Sequence, residues 1–332
     1  MYLRDIRLSD KELKMSKNIG EIEVDLVYLW VDGNDPVWQA KRKSFTGVTD
    51  EKSPINCKGR YANNDELKYS LRSIEENAPW IRNIFIVTDN QTPEWLDTSN
   101  TKIKIIDHSE ILPKACLPCY NSSLLEKYIY RIPNLAEHFI FANDDMFLNK
   151  AVSPSDFYTN DGKTIIRLTH KPFRKIRWFF RERIFKKPLK NYSKKIHHSS
   201  LLVEDRYGCY ITGMPHHNID AYKKSYYRQI VEVKLCKEYM VNDKNHIRSN
   251  NDTHRSVISY MSLAEKHGLL RYVSQKESML VRIHKEKDYR KLEEFGPMFF
   301  CMNDSEYATD KDRAKVKDYL EKRFPNKSEF EK

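Results

Sequence analysis

Val24-Asp-Leu-Val-Tyr-Leu-Trp-Val31 runs directly into Asp32-Gly33-Asn34-Asp35-Pro36. A short apolar run rich in β-branched and aromatic residues predicts a buried strand, and the polar string after it predicts a tight loop at the strand's carboxyl end. The same pattern recurs outward from this point. Asp65 opens a helical pattern in which Leu67, Leu71 and Ile74 recur, and Pro79 closes it. Asn83–Thr88 predicts a second strand, ending in Asp89-Asn90, and Lys102–Ile106 a third, ending in Asp107-His108. A helix is expected from about Ser122 to Arg131, then a fourth strand, Phe139–Ala142, ending in Asn143-Asp144-Asp145. Strands this apolar are expected to be covered on both faces, so the fold class predicted is α/β. In such sheets ligands sit beyond the carboxyl ends of the strands. Those ends carry Asp32 and Asp35, Asp89, Asp107, Asp144 and Asp145, which suggests a metal-assisted site.

Composition bounds the rest. A chain of 332 residues with 40% hydrophobic content can bury a large core. Its net charge of +11 suits polyanions, phosphorylated substrates or an anionic membrane face, without choosing among them. No segment approaches the ~20 continuous apolar residues of a membrane span. Residues 1–21 read as a polar leader, and Met1–Lys17 has no apolar core of the kind a secretory signal needs. The six scattered cysteines do not form a disulfide framework, so a reducing, cytoplasmic compartment is expected. Cys116-Leu-Pro-Cys119 has zinc-knuckle spacing but lacks the second pair that would complete a site.

Lys171–Lys195 holds eleven Lys or Arg against one acid, Glu182, with Phe173, Trp178, Phe179, Phe180, Phe185 and Tyr192 interleaved. Two readings stand level. Either the aromatics fill a helical core and the charges solvate it, or basic residues such as Arg174, Lys175, Arg177 and Arg181 meet an anionic surface. Beyond residue 210 the chain reads as mainly helical with loops, and a charged helix from Asp310 to about Phe324 is stopped by Pro325.

Several constellations carry chemistry, each beside a plainer reading. Asp144-Asp145 at a strand end suits a hard divalent cation, which takes one or two protein carboxylates and the rest from phosphate and water. An Asx turn fits the same spacing. Asp32 and Asn34 could hold a nucleotide base or ribose, or simply turn the chain. His216, His217 and Asp220 could bind metal or move protons, and Arg248 could clamp a phosphate bidentately. No GxxxxGK[ST], GxGxxG or GxSxG string is present, which disfavours P-loop kinases, dinucleotide-binding dehydrogenases and α/β-hydrolases.

Together these segments resemble the Stealth family of sugar phosphotransferases. That family includes bacterial capsule and cell-surface polysaccharide phosphotransferases and the animal enzyme that adds N-acetylglucosamine-1-phosphate to lysosomal glycoproteins. The matching blocks run in order: Asp25–Trp38; Arg60–Trp80 with Ile84–Gln91; Leu117-Pro118, Glu126, His138–Asp145 and Asp156-Phe-Tyr158; Met214–His217 with His246–Ser249; and Phe300–Asp304. The resemblance implies a nucleotide-sugar-binding, glycosyltransferase-A-like core sheet, with a mainly helical, basic insertion and a C-terminal part that completes the active site. The divisions expected are 22–160, 161–210 and 211–332.

The activity implied is transfer of a sugar-1-phosphate from a nucleotide-diphosphate sugar, UDP-linked by expectation, to a glycan hydroxyl. The product would be a phosphodiester in a capsule or surface polysaccharide. The resemblance places the required acids on Glu126 and Asp145 and the required Arg on Arg248. It expects Mg²⁺ or Mn²⁺ on Asp145, Asp144 and Asp304, and substrate contacts from Asp32, Asn34, Arg60, Asn64, Arg72 and His217. The family's His stands two residues before a Pro, where this chain has Gly213, so either His216 or His217 supplies the imidazole or the loop aligns with a shift; His216 is the one favoured. Partners expected are the donor, a glycan acceptor carried in some cases on a lipid diphosphate, and the inner face of the cytoplasmic membrane; nucleic acid is not expected. A metal-dependent glycosyltransferase of similar core, and a non-enzymatic polyanion binder, are the competing readings.

Overall fold

The computed structural model describes residues 22–47 and 57–332, so the leader expected over residues 1–21 lies outside the described residues. The strands are β1 (Val24–Leu29), β2 (Ile84–Thr88), β3 (Ile103–Asp107), β4 (His138–Asn143), β5 (Met146–Leu148), β6 (Thr164–Thr169), β7 (Met214–Pro215), β8 (Asp220–Lys223), β9 (Gly268–Val273), β10 (Ser278–Arg282) and β11 (Phe299–Asn303). The central sheet has the order β3-β2-β1-β4-β8. Its first four strands are parallel, and β8 runs antiparallel beside β4.

Alternation along the strands explains why these runs are apolar throughout. Val27, Leu29, Phe85, Val87, Phe139 and Phe141 enter one core, under the Ser122–Tyr128 and Ser256–Ala264 helices. Val24, Leu26, Tyr28, Ile84, Ile86 and Ile140 enter the opposite core, under the Glu66–Asn77 helix. With both faces covered, a strand has no solvent side to fill with polar residues. Each such side chain contributes roughly 1.5–3 kcal/mol by its burial. The register pairs Leu29 with both Val87 and Asn143, and Thr88 with Asp107, so the carboxyl ends of β1 to β4 share one edge.

The C-terminal half departs from the helical reading in one respect. Strands β7 to β11 are threaded among its helices; β8 joins the central sheet, and the other four build two small sheets with β5 and β6, β10-β11-β5 and β7-β6-β9. Through β6 the stretch expected as a basic insertion joins a sheet with the C-terminal part. Only three residues of β5, directly after Asp144-Asp145, pair with β11. The Met302 amide also donates to the Asp145 carbonyl at 2.9 Å, so β11 buttresses the acidic turn. The C-terminal segment closes back on the core, where Glu331 accepts two hydrogen bonds from Arg72.

Candidate active site

A cavity of about 220 Å³ opens at the carboxyl edge of the central sheet. Trp30 and Val31 beyond β1 and Asn143, Asp144 and Asp145 at the end of β4 line it, together with loop residues 59–62, Arg248 and Asn303-Asp304. Two glycines let these loops close on one another. A Cβ on Gly59 would come within 2.4 Å of the Asp304 Oδ1, and one on Gly33 within 1.9 Å of the Tyr61 carbonyl oxygen.

Carboxylates converge on one side. Asp144 and Asp145 stand half-buried in the turn between β4 and β5, and Glu66 is buried beside them. Asn64 holds Glu66 with its amide and side-chain nitrogens, each at 2.6 Å. Burial pushes the Asp144 carboxyl well above its ordinary range, and the charges of Asp145 and Glu66 push it further. Asp145 is pushed up to about 6, mainly by burial, against the opposing pull of the Cys301 thiol and Arg60. Burial likewise takes Glu66 up to about 7 despite the Asn64 hydrogen bonds.

Asp145 Oδ1 is buried with no hydrogen-bond partner, while Oδ2 accepts from the Cys301 Sγ at 3.3 Å. A cluster driven toward neutrality by desolvation and mutual repulsion is one that a divalent cation would return to the ionised state. Asp144 and Asp145 fit such an ion. Among the described residues no three His, Cys, Asp or Glu side chains are arranged to hold a metal by themselves. The two aspartates would therefore share the ion with phosphate and water oxygens.

Asp304 does not fit the metal role expected for it. It lines the cavity, but Arg313 donates to Oδ2 at 2.7 Å and to Oδ1 at 3.1 Å, and the Ser305 amide donates to Oδ1 at 2.6 Å. Both oxygens thus take part in holding the β11 exit in place.

Cations and potential proton acceptors line the other side. Arg248 arrives on a loop that bridges Ile247 to Tyr120, with the Tyr120 amide donating to the His246 carbonyl at 2.7 Å. The Arg248 Nε is buried without a hydrogen-bond partner. Glu126 projects from the Ser122–Tyr128 helix, whose Asn121 cap accepts from the Ser123 amide. Arg255 bridges Glu126 and Asp220, at 3.2 Å to each. Glu126 Oε2 has no partner.

The two histidines part company here. His216 is buried, with Nδ1 2.8 Å from Ser278 Oγ and Nε2 3.2 Å from Asp220 Oδ1. It does not line the cavity. His217 does, with its backbone in the left-handed region at φ 59°. Non-glycine residues adopt that conformation rarely, and it clusters at functional sites. Burial, then Arg255 and Arg60, takes the His217 imidazole down to about 4, so it is neutral at neutral pH. Gly213, where the resemblance would seat a His, has no room for one, since a Cβ there would meet Leu168 at 2.7 Å.

Of the other expected residues, Arg60 lines the cavity and Asn64 supports Glu66 from behind. Asp32 caps its own turn, accepting from the Asn34 amide at 2.8 Å, and the Asn34 side chain is spent on the Asn63 carbonyl. Arg72 ties down the C-terminal segment through Glu331 and the Phe324 carbonyl, on the helix and not at the cavity. The structure adds Glu66, Arg255 and an aromatic wall of Trp38, Tyr61 and Tyr120. The Trp38 ring centroid lies 5.4 Å from Tyr61 and 5.5 Å from Tyr120. Trp38 Nε1 and Tyr120 OH are buried without partners. Trp38 and Glu66 lay inside the quoted blocks and could have been found there. Arg255 carried no signal among 58 basic residues.

Comparison with known proteins agrees with the resemblance. The chain matches Stealth protein CR1, conserved region 1, over residues 23–47 and Stealth protein CR2, conserved region 2, over residues 60–166. The exopolysaccharide phosphotransferase SCO6023 of Streptomyces coelicolor is 46% identical over 142 residues, which is 42% of this chain and 24% of that protein. A capsular polysaccharide phosphotransferase WcwK of Streptococcus pneumoniae is 43% identical over 141 residues, 42% of each chain. A second WcwK from that organism is 29% identical over 343 residues, 93% of this chain and 99% of that one. The chain thus spans well under two thirds of the length of the first two relatives at the higher identity. Among solved structures, the galactosyltransferase LgtC with donor and acceptor sugar analogues gives a TM-score of 0.43 at 11% identity, covering 91% of this chain and 95% of that one. The glycosyltransferase GlyE of Streptococcus pneumoniae TIGR4 gives 0.43 at 8% identity, covering 91% of this chain and 60% of that one.

Proposed function

The chain belongs to the Stealth family, and on that premise we propose that it transfers a sugar-1-phosphate from a nucleotide-diphosphate sugar, UDP-linked, to a hydroxyl of a capsule or surface glycan. The observation that carries the reading is one cavity at the sheet's carboxyl edge holding an aspartate pair with an unpartnered oxygen, a buried unpartnered guanidinium nitrogen and a neutral imidazole. Phosphoryl transfer needs in-line positioning and neutralisation of charge on the phosphoryl oxygens more than covalent help.

The acceptor oxygen attacks the β-phosphorus, the bond from that phosphorus to the bridging oxygen breaks, and nucleoside monophosphate leaves with the electron pair. The sugar keeps its phosphate, and a phosphodiester results. Asp144 and Asp145 would hold Mg²⁺ or Mn²⁺, which when bound neutralises diphosphate charge. Arg248 and Arg60 bind the phosphate oxygens, Arg248 with a planar fork that a point charge does not reproduce. Trp38, Tyr61 and Tyr120 form the wall against which the nucleoside stacks. Glu126, oriented by Arg255, accepts a hydrogen bond from the acceptor hydroxyl through Oε2.

His217 takes the proton of that hydroxyl. Burial, and with it the charges of Arg255 and Arg60, keeps the imidazole neutral before the donor arrives. The anionic diphosphate offsets their field, so proton affinity rises when it is needed. A glycan on a lipid diphosphate at the inner face of the cytoplasmic membrane is the acceptor form that suits a chain of net charge +11. The test is incubation with a panel of nucleotide sugars, a glycan acceptor and Mg²⁺, with the released nucleotide and the phosphorus content of the product measured. A nucleoside monophosphate and a sugar–phosphate–sugar linkage are expected. Release of a nucleoside diphosphate with a phosphorus-free glycosidic product would overturn the reading.

A further inference from the structure

The exposed apolar surface of this protein is concentrated in one place. Among the described residues, six of the sixteen exposed large apolar side chains fall between positions 173 and 185: Phe173, Ile176, Phe179, Phe180, Ile184 and Phe185. Phe173 and Phe185 are each 65% exposed. They stand on the Arg174–Phe179 helix and the π-helical turn Phe180–Ile184 that continues it. Interleaved with them, Lys171, Lys175, Arg177, Arg181, Arg183, Lys186, Lys187 and Lys190 are exposed, against one half-buried acid, Glu182.

The element is anchored from beneath. Arg174 is buried and donates to the Ser200 hydroxyl at 2.6 Å and to the Ile211 carbonyl, and its guanidinium lies 4.6 Å from the Trp178 ring centroid. Trp178 packs on the main core and meets His197 edge-on at 5.3 Å. The two readings of this stretch are therefore separated residue by residue. Arg174 and Trp178 face inward, and the phenylalanines and remaining cations face out. A groove of about 720 Å³ runs between them, with Ile176, Phe180 and Phe185 along it and Arg177, Arg181 and Lys187 beside them.

We propose that this face docks the protein on an anionic lipid bilayer. The apolar rings would enter the boundary between headgroups and acyl chains while the cations meet anionic headgroups, which is the recognised chemistry of interfacial helices. A free polyanion would use the charges and leave six apolar side chains in water. A second copy of the chain would bring the same positive charge to the same face. Contiguous exposed apolar surface rimmed by charge marks an interaction site. No helix among the described residues is long and apolar enough to cross a membrane, so this is contact from one side.

Contacts beneath the docking face lead toward the cavity. Arg174 Nη1 reaches Met214 Sδ at 3.0 Å, on the strand that leads into His216-His217, and the Tyr192 ring stands edge-on 5.9 Å from that of His217. A glycan anchored in the same bilayer would therefore be presented close to the site.

Co-sedimentation of the full chain with vesicles tests this. Binding is expected to be at least about tenfold stronger to phosphatidylglycerol-rich vesicles than to pure phosphatidylcholine, and to fall as salt shortens the Debye length. Two variants act on the two halves of the face: Phe179→Ser with Phe180→Ser and Phe185→Ser, and Arg177→Gln with Arg181→Gln and Lys187→Gln. Each is expected to lose about tenfold or more in binding with an unchanged unfolding midpoint, since these side chains are exposed. Equal binding to both vesicle types, wild-type binding by the charge variant, or no binding at all would overturn the proposal. Self-association of the wild type, abolished by the serine variant without vesicle binding, would assign the face to a second copy instead. Binding is scored without turnover, so its failure leaves the transfer reaction standing, and the reverse holds.

Discussion

Replacing Arg255 by Met would leave Glu126 and Asp220 without the cation that lies 3.2 Å from each. The three side chains are only 9%, 8% and 18% exposed, so water cannot step in fully for the lost guanidinium. Breaking a buried pair from one side costs about 3–5 kcal/mol, because the stranded charge keeps its desolvation penalty. For a chain of this size that corresponds to a fall of roughly 4–7 °C in the unfolding midpoint. Adding Glu126→Gln removes one of the two stranded charges and should return about 1–3 kcal/mol, a coupling visible in a double-mutant cycle.

The deficit should also depend on pH. Burial raises the Asp220 carboxyl, but His216 and Arg255 outweigh it and hold the group below its ordinary 3.8. A depressed carboxylate gives stability that is present above the unfolded value and lost as pH falls through the folded one. Arg255's share of that stability is already missing in the variant, so the gap between the two proteins should close on acidification. Calorimetry from pH 7 to well below 3.8 reads both effects. A fall of less than about 2 °C at pH 7, or a gap that widens in acid, would refute the assignment of Arg255 as the cation that organises this wall.

Asp145→Asn should abolish transfer while leaving the unfolding midpoint level or slightly higher, because a desolvated carboxyl held near 6 beside other acids opposes folding; activity and calorimetry on one preparation check this. Chelator should silence the wild type, with Mg²⁺ or Mn²⁺ restoring it. His217→Ala should lower kcat by ~10²–10⁴-fold with little loss of stability, whereas His216→Ala should lower the unfolding midpoint, since its bonds to Ser278 and Asp220 are interior. Equal, mild effects of the two substitutions would remove the imidazole from the mechanism. His108, taken from 6.5 down to about 4 by burial, stays neutral in the folded chain while the unfolded chain takes up a proton. Stability should therefore fall as pH drops from 6.5 toward 4, by ~3 kcal/mol from this residue, and denaturant titrations of His108→Gln should show a flatter profile.

Burial on both faces is what made the sheet readable. A strand covered on two sides can hold almost nothing but apolar residues, so Val24–Leu29, Ile84–Thr88 and His138–Asn143 stand out as runs; Ile103–Asp107, at the sheet's edge, leaves Lys104 exposed and is marked less strongly. Strands β7 to β9 have no such mark. β7 is two residues long, β8 is four and sits at the sheet's edge, and β9 is only partly buried along most of its length, so none imposes a local pattern.

The sequence by itself pointed to the α/β core and the family, and singled out Glu126, Asp144, Asp145 and Arg248 as candidates, because each is written into a continuous stretch of neighbouring residues. Only the tertiary structure decided which of two adjacent histidines faces the cavity, that Asp304 is spent on Arg313, and that Arg255 ties Glu126 to Asp220. It also decided that Arg174 and Trp178 turn inward while the phenylalanines beside them turn out. The physical reason is common to all four. A charge or an imidazole takes its role from the partner that neutralises it or bonds it. Arg255 is 129 positions from Glu126, and Ser278 is 62 from His216, distances along the chain that no local pattern spans.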